Sequence, residues 1–168
     1  MAELHPEARE LIESSRLAHM VTLNPDGGPQ VSCVWVGMDG DEIVSGHLPR
    51  NQKVKNVERD GRVVAWASAT EYRPRACYSG VAEFSVYVAR EARGTGAGRA
   101  AMEALVRECE GHGVWKLLSR VFPENEASRR LLAKVGFREV GTYRRHAKLD
   151  GEWRDTVIVE RLIGEAAR

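Results

Sequence analysis

A chain of 168 residues, 43% hydrophobic and 29% charged, has the composition of a globular protein with one compact core or two small ones. It contains no run of ~18 apolar residues that could form a membrane-spanning helix, and its first residues, Met1-Ala2-Glu3-Leu4-His5-Pro6-Glu7, lack the apolar stretch of a secretory signal, so a cytoplasmic protein is expected. The net charge of +1 hides an uneven split: 6 Lys/Arg against 10 Asp/Glu in residues 1–60 give −4, and 19 against 14 in residues 61–168 give +5. A basic second half suits a small anionic ligand. Its arginines are not clustered with stacking aromatics, so nucleic-acid binding is not expected. Cys33, Cys77 and Cys109 are odd in number and widely spaced, which argues against a disulfide framework or a metal site and for reduced thiols.

In chain order, residues 6–13 predict a short amphipathic helix. A strand over 17–23 is closed by the turn Asn24-Pro25-Asp26-Gly27-Gly28. A second strand spans 29–37, with Val31, Cys33 and Trp35 alternating against Ser32, Val34 and Val36. Asp39-Gly40-Asp41 turns the chain into a strand over 42–45, and residues 50–60 predict a basic helix. Beyond Gly61, residues 63–69 predict a buried strand. Residues 81–88 alternate cleanly, with Ala82, Phe84, Val86 and Val88 on one face and Glu83, Ser85 and Tyr87 on the other.

The stretch Ala92-Arg93-Gly94-Thr95-Gly96-Ala97-Gly98-Arg99 comes between this strand and an amphipathic helix over 99–110, whose apolar stripe is Met102, Leu105, Val106 and Cys109. Glycines let backbone N–H groups approach an anion, and the helix N-terminus behind them carries partial positive charge. Gly111 and Gly113 stop that helix, and a strand over 115–122 follows. A helix over 125–135 turns Leu131, Leu132 and Val135 inward, with Asn125 as N-cap and Gly136 just past its end. Strands over 137–145 and 153–162 are joined by the turn at Asp150-Gly151, and Trp66, Trp115 and Trp153 read as core anchors. Strands alternating with helices, then a terminal strand pair, indicate an α/β (α+β) fold with a mixed sheet.

The runs "EFSVYVAREARGTGAGRAAMEALV" and "RVFPENEASRRLLAKVGFREVG" resemble the GNAT superfamily of N-acetyltransferases, and "YRPR" with "YRRHAKLDGEWRD" is similar to its phosphinothricin branch, which includes arsinothricin acetyltransferases. The likeness covers about residues 61–168. It implies a mainly antiparallel sheet with flanking helices and acetyl-CoA as co-substrate. It also implies a diphosphate site at Arg93, Gly94, Gly96, Ala97, Gly98 and Arg99, and pantetheine pairing along the backbone of Val86 to Val88. Glu83 is then the base that accepts the amine proton, directly or through a water, and Asn125 touches the co-substrate. Arg73, Arg75 and Tyr78 are expected at the acceptor, a small amino-acid analogue, since guanidinium groups suit a phosphinate, arsinate or carboxylate. Tyr143 and His146 are further candidates for that pocket. Many relatives carry a tyrosine acid seven residues after the Asn; here that position is Leu132, a departure that matches the phosphinothricin branch. The resemblance also hints at a homodimer.

Residues 1–60 follow a β-meander pattern in place of the family's helical opening. The run "LAHMVTLNPDGGPQVSCVWVGMDGDEIVSGHLPRNQKVKNVERDGRV" resembles the start of pyridoxamine-phosphate-oxidase-like split barrels, which bind a flavin or the deazaflavin F420 near positions matching Arg50, Lys53 and Lys55. The pattern stops near residue 62 and the rest of the barrel is missing, so flavin or F420 binding is not expected and Arg50 and Lys53 are read as solvated charges. The sequence thus divides into a partial barrel-like segment, 1–60, and an acetyltransferase domain, 61–168. The opening piece either supplies strands to the acetyltransferase sheet or packs as a satellite. An oxidoreductase of the split-barrel class and a chimera that only binds CoA are the alternatives to an active acetyltransferase.

Overall fold

The computed structural model describes residue 9 and residues 18–34, 36–39, 42–44 and 51–168. Of the expected opening helix only Arg9 falls among them, in helical conformation; Trp35, Gly40, Asp41, Ser45 and Arg50 lie outside the described residues. The elements are β1 (Ala18–Leu23), β2 (Pro29–Val34), β3 (Gly37–Asp39), β4 (Glu42–Val44), α1 (Gln52–Asp60), β5 (Ala65–Glu71), β6 (Val81–Val88), α2 (Ala97–Gly111), β7 (Lys116–Val121), α3 (Glu126–Lys134), β8 (Arg138–Leu149) and β9 (Glu152–Leu162). Seven strands form a mixed, mainly antiparallel sheet in the order β2-β1-β5-β6-β7-β9-β8, while β3 and β4 make a separate hairpin. The expected strand over 29–37 is therefore two strands in two sheets. Contacts divide the chain into two compact units: Met1–Thr70 with Ser85–Leu105, and Glu71–Phe84 with Val106–Arg168.

In the first unit, β1 pairs with β2 across the expected turn, where the Asn24 N–H donates to the Gly28 carbonyl and the Gly28 N–H to Asp26 Oδ1. β1 also pairs antiparallel with β5, His19 opposite Ala67 and Val21 opposite Ala65. The opening segment thus supplies strands to the main sheet, the first of the two arrangements its sequence allowed. Helix α1 ends at Gly61, whose φ of +68° is the left-handed conformation glycine adopts without strain. On the hairpin side of this helix Asn56 is fully buried: its Nδ2 donates to Thr22 Oγ1 at 3.0 Å and Asn24 Oδ1 at 3.1 Å, and its Oδ1 accepts from Gln52 at 2.9 Å. A buried amide with these partners carries little net penalty, but losing it takes the donor from Thr22 Oγ1, which keeps its own bond to Gln30 Oε1 at 3.2 Å, and from Asn24 Oδ1.

In the second unit the core is Ala82, Phe84, Leu117, Val121, Leu132, Val135, Phe137, Val157 and Val159, with the Phe84 and Phe137 rings 4.8 Å apart. Gly80 lies under the Trp115 ring so closely that a Cβ there would sit 1.9 Å from a ring carbon. Trp153 departs from expectation: it is 59% exposed, because it sits beside the turn that closes the β8–β9 hairpin, with the Lys148 ammonium 5.6 Å from its ring. β8 is also longer than expected and bulged. Tyr143 faces Thr156 but Ala147 faces Arg154, so β8 carries two extra residues in that stretch, besides a smaller register shift between Glu139 and Gly141. Asn56→Ala should destabilise the protein by about 1–3 kcal/mol through the lost buried hydrogen bonds to Thr22 and Asn24; urea unfolding monitored by tryptophan fluorescence measures it.

Candidate functional site

In the first unit, a short 3-10 turn, Arg90–Ala92, follows β6 and is pinned by the buried Ala92 side chain. The Ala92 carbonyl accepts from Thr95 Oγ1 at 2.7 Å. Gly94 has φ +82° and Gly96 φ +93°, and a Cβ at either would meet nothing within 4 Å. Glycine is therefore required there by backbone conformation rather than by crowding, and the space above the loop is open. Helix α2 starts two residues earlier than the apolar pattern predicts, at Ala97. Its first internal bond is from the Ala100 N–H to the Gly96 carbonyl, so the N–H groups of Ala97, Gly98 and Arg99 have no carbonyl within the helix. Ala97 and Gly98 are buried and hold the turn down, whereas Arg93, Gly94, Thr95, Gly96 and Arg99 are exposed. Arg99 Nε donates to Glu103 at 2.7 Å, which leaves the terminal nitrogens of its guanidinium for another acceptor. Val86 and Val88 are half-buried on β6, and Tyr87 between them, on the other face, stacks on Trp66 at 4.8 Å.

In the second unit, β6 and β7 are parallel over three pairs only, ending at Glu83 opposite Leu118. Glu83 turns away from the core side chains Ala82 and Phe84. Both its oxygens meet the Arg120 guanidinium, at 3.1 and 3.3 Å, with each side chain about one-third exposed. Sequence reasoning missed Arg120; the signal was its place in the alternation Lys116, Leu118, Arg120, but a partner on a parallel strand is invisible until the register is known. Two accepted bonds leave lone pairs on the Glu83 carboxylate for a further donor.

The loop before β6 folds on itself through the Arg75 N–H to the Arg73 carbonyl and the Tyr78 N–H to the Arg75 carbonyl. Arg73 and Arg75 are exposed. The Arg73 guanidinium lies 5.2 Å from the Tyr72 ring, which meets Tyr78 edge-on at 5.9 Å. Tyr72 first, by hydrogen bonding and charge, then Tyr78 and Tyr143, push Arg73 further above the ordinary arginine value. Asn125 is the N-cap of α3, its Oδ1 accepting from the Ser128 N–H at 3.1 Å, with the amide nitrogen left to donate. Leu132 is 1% exposed, so that position presents no proton donor. Burial, with Glu108 nearby, pushes the Cys109 thiol up to about 11, which makes it inert as a nucleophile.

Glu160 occupies the same row of the sheet as Glu83 and Leu118, is 7% exposed, and contacts both Lys116 and Arg138. The hydrogen bond from Lys116 is the main cause holding its carboxyl below the ordinary value of 4.5, with Arg138 adding to it. The stability this supplies is fully present above 4.5 and is lost as pH falls through the lower folded value. Glu160→Gln should therefore cost about 1–3 kcal/mol at pH 7 and flatten the fall in melting temperature on acidification below 4.5; a pH series of thermal melts checks both.

The sequence profile described as the acetyltransferase (GNAT) family matches residues 26–137. A phosphinothricin N-acetyltransferase of Alcaligenes faecalis is 42% identical over 108 residues, 63% of this chain and 54% of that protein. YwnH of Bacillus subtilis is 31% identical over 125 residues, 74% of this chain and 77% of that protein. Among solved structures, a phosphinothricin acetyltransferase from Sinorhizobium meliloti in complex with acetyl-CoA aligns with TM-score 0.58 and 29% identity, over 73% of this chain and 60% of that one. The chain thus spans about half the length of the Alcaligenes protein.

Proposed function

The chain belongs to the acetyltransferase (GNAT) family, and we propose that it moves the acetyl group of acetyl-CoA to the amino group of a small acidic amino-acid analogue of the phosphinothricin or arsinothricin kind. The open, left-handed turn at Gly94 and Gly96 carries this reading. Its N–H groups, with those of Ala97, Gly98 and Arg99 and the Arg93 side chain, bind the diphosphate. Charge on the ligand meets partial charge at the helix end without any side chain having to move. The backbone of Val86 and Val88 receives the pantetheine arm as an added strand. Asn125 contributes its free amide N–H.

Glu83 accepts a proton from the acceptor ammonium, directly or through one water. The freed lone pair attacks the thioester carbon, the carbon–sulfur bond breaks, and CoA leaves as its thiolate, which takes up the second proton lost by the nitrogen. A thiol with pKa ~8.5 leaves without an enzyme acid, which accounts for a leucine at position 132. Arg120 fixes the direction of the Glu83 carboxylate. Arg73 and Arg75 pair with the acceptor's phosphinate or carboxylate, beside Tyr78, Tyr143 and His146. The opening segment replaces the leading strands of the family, a reading supported by the β1–β5 ladder and by a family match that begins at residue 26. Action in the cytoplasm suits three cysteines with free thiols.

Incubation with acetyl-CoA and phosphinothricin should release free thiol. Glu83→Ala should lower kcat by roughly 10²–10⁴-fold while the affinity for acetyl-CoA stays the same. Release no greater than that of Glu83→Ala counts against catalysis. Gly96→Val, forced into a left-handed backbone it does not tolerate, should abolish the rise in melting temperature that saturating acetyl-CoA gives the unaltered chain, a rise worth about 2.7 kcal/mol at a hundredfold excess over Kd. If the unaltered chain shows no such shift, the co-substrate assignment is lost.

A further inference from the structure

The bulge of β8 is built around a backbone that its sequence does not favour. Arg145 has φ +50°, a left-handed conformation that costs a residue with a Cβ, and its N–H donates to Asp155 Oδ1 at 2.7 Å. That carboxylate on β9 replaces the ladder partner the extra residues would otherwise lack. Within the bulge the His146 ring meets the Tyr143 ring at 4.7 Å.

Register places these residues on the working face of the second unit. Glu83 faces Leu118, Arg120 faces Ile158, and Thr156, two residues along the same face, is opposite Tyr143. Thr156 is 5% exposed, and its hydroxyl has no hydrogen-bond partner among the described residues. An orphaned buried hydroxyl beneath Tyr143 is a group awaiting a polar atom of a ligand or its water. Tyr143 also acts electrostatically on Arg73, in the loop assigned to the acceptor's acid.

We infer that Asp155 is a positioning residue for acceptor binding: by holding the Arg145 N–H it sets the bulge that presents Tyr143 and His146 to an anionic amino acid. The inference rests on the acetyltransferase reading. Asp155 touches neither substrate; it acts through the backbone of residues 144–146. Bulges of this kind re-aim side chains next to active sites.

The test is steady-state kinetics on Asp155→Ala and Asp155→Asn with phosphinothricin and acetyl-CoA. Asp155→Ala should raise the KM for phosphinothricin by roughly tenfold, as expected when recognition groups are displaced by about an ångström, with the KM for acetyl-CoA unchanged. Asp155→Asn keeps an oxygen that can accept from Arg145 and should stay close to the unaltered enzyme. An unchanged acceptor KM in Asp155→Ala, a parallel rise in both KM values, or equal damage in the two variants overturns the inference. Should Asp155→Ala lose its melting transition, Asp155→Ala with Arg145→Gly restores a residue at ease with the left-handed backbone; it should fold and show less than the expected tenfold rise, and a full rise there also overturns it. An unaltered chain that releases no thiol removes both readings, whereas an active one with an unmoved acceptor KM removes this one alone.

Discussion

Alternation along β6 ties the packing of the core to the position of the groups assigned to chemistry. Ala82 and Phe84 are buried, and Phe84 is locked against Phe137. Because successive side chains on a strand point to opposite faces, that burial obliges Glu83 to face the other way. A slip of one residue would expose Phe84 and bury the carboxylate, so the hydrophobic effect itself enforces the register that turns Glu83 away from the core.

Two carboxylates share the row that crosses Leu118, and their environments differ. Glu83 is partly open and held by one guanidinium, while Glu160 is nearly buried between an ammonium and a guanidinium. They stand two strand spacings apart, roughly 10 Å, and each has its own cations. Arg120 keeps Glu83 oriented without enclosing it. Glu160 instead ties β7 to β8 and β9. One glutamate is left partly exposed, and the other is spent on holding strands together.

Local features of the fold were legible in the sequence. The β6 boundaries, the Asn125 cap, the glycine turn and the Asp150-Gly151 turn follow from alternation, capping chemistry and φ preference, all decided by near neighbours. What sequence missed is non-local. The Glu83–Arg120 pair joins parallel strands 37 residues apart, and the Asp155–Arg145 bond depends on two extra residues in one strand of a hairpin. Trp153 was read as a core anchor because aromatics usually are, yet its exposure is decided by where the hairpin ends relative to the core. The opening residues have a strand pattern whose partner, β5, no local signal could name.

The bulge in β8 also shapes how molecules meet one another. β8 is the outermost strand of the sheet, twelve residues long, with nearly every side chain exposed. A flat edge of that length offers a row of unpaired amides and carbonyls on which a neighbour's strand could grow into a fibril-like stack. The kink at Arg145 breaks that row midway, and Arg144, Arg145 and Lys148 add like charge beside it. The irregularity at Arg145 therefore guards the chain against aggregation through its own edge.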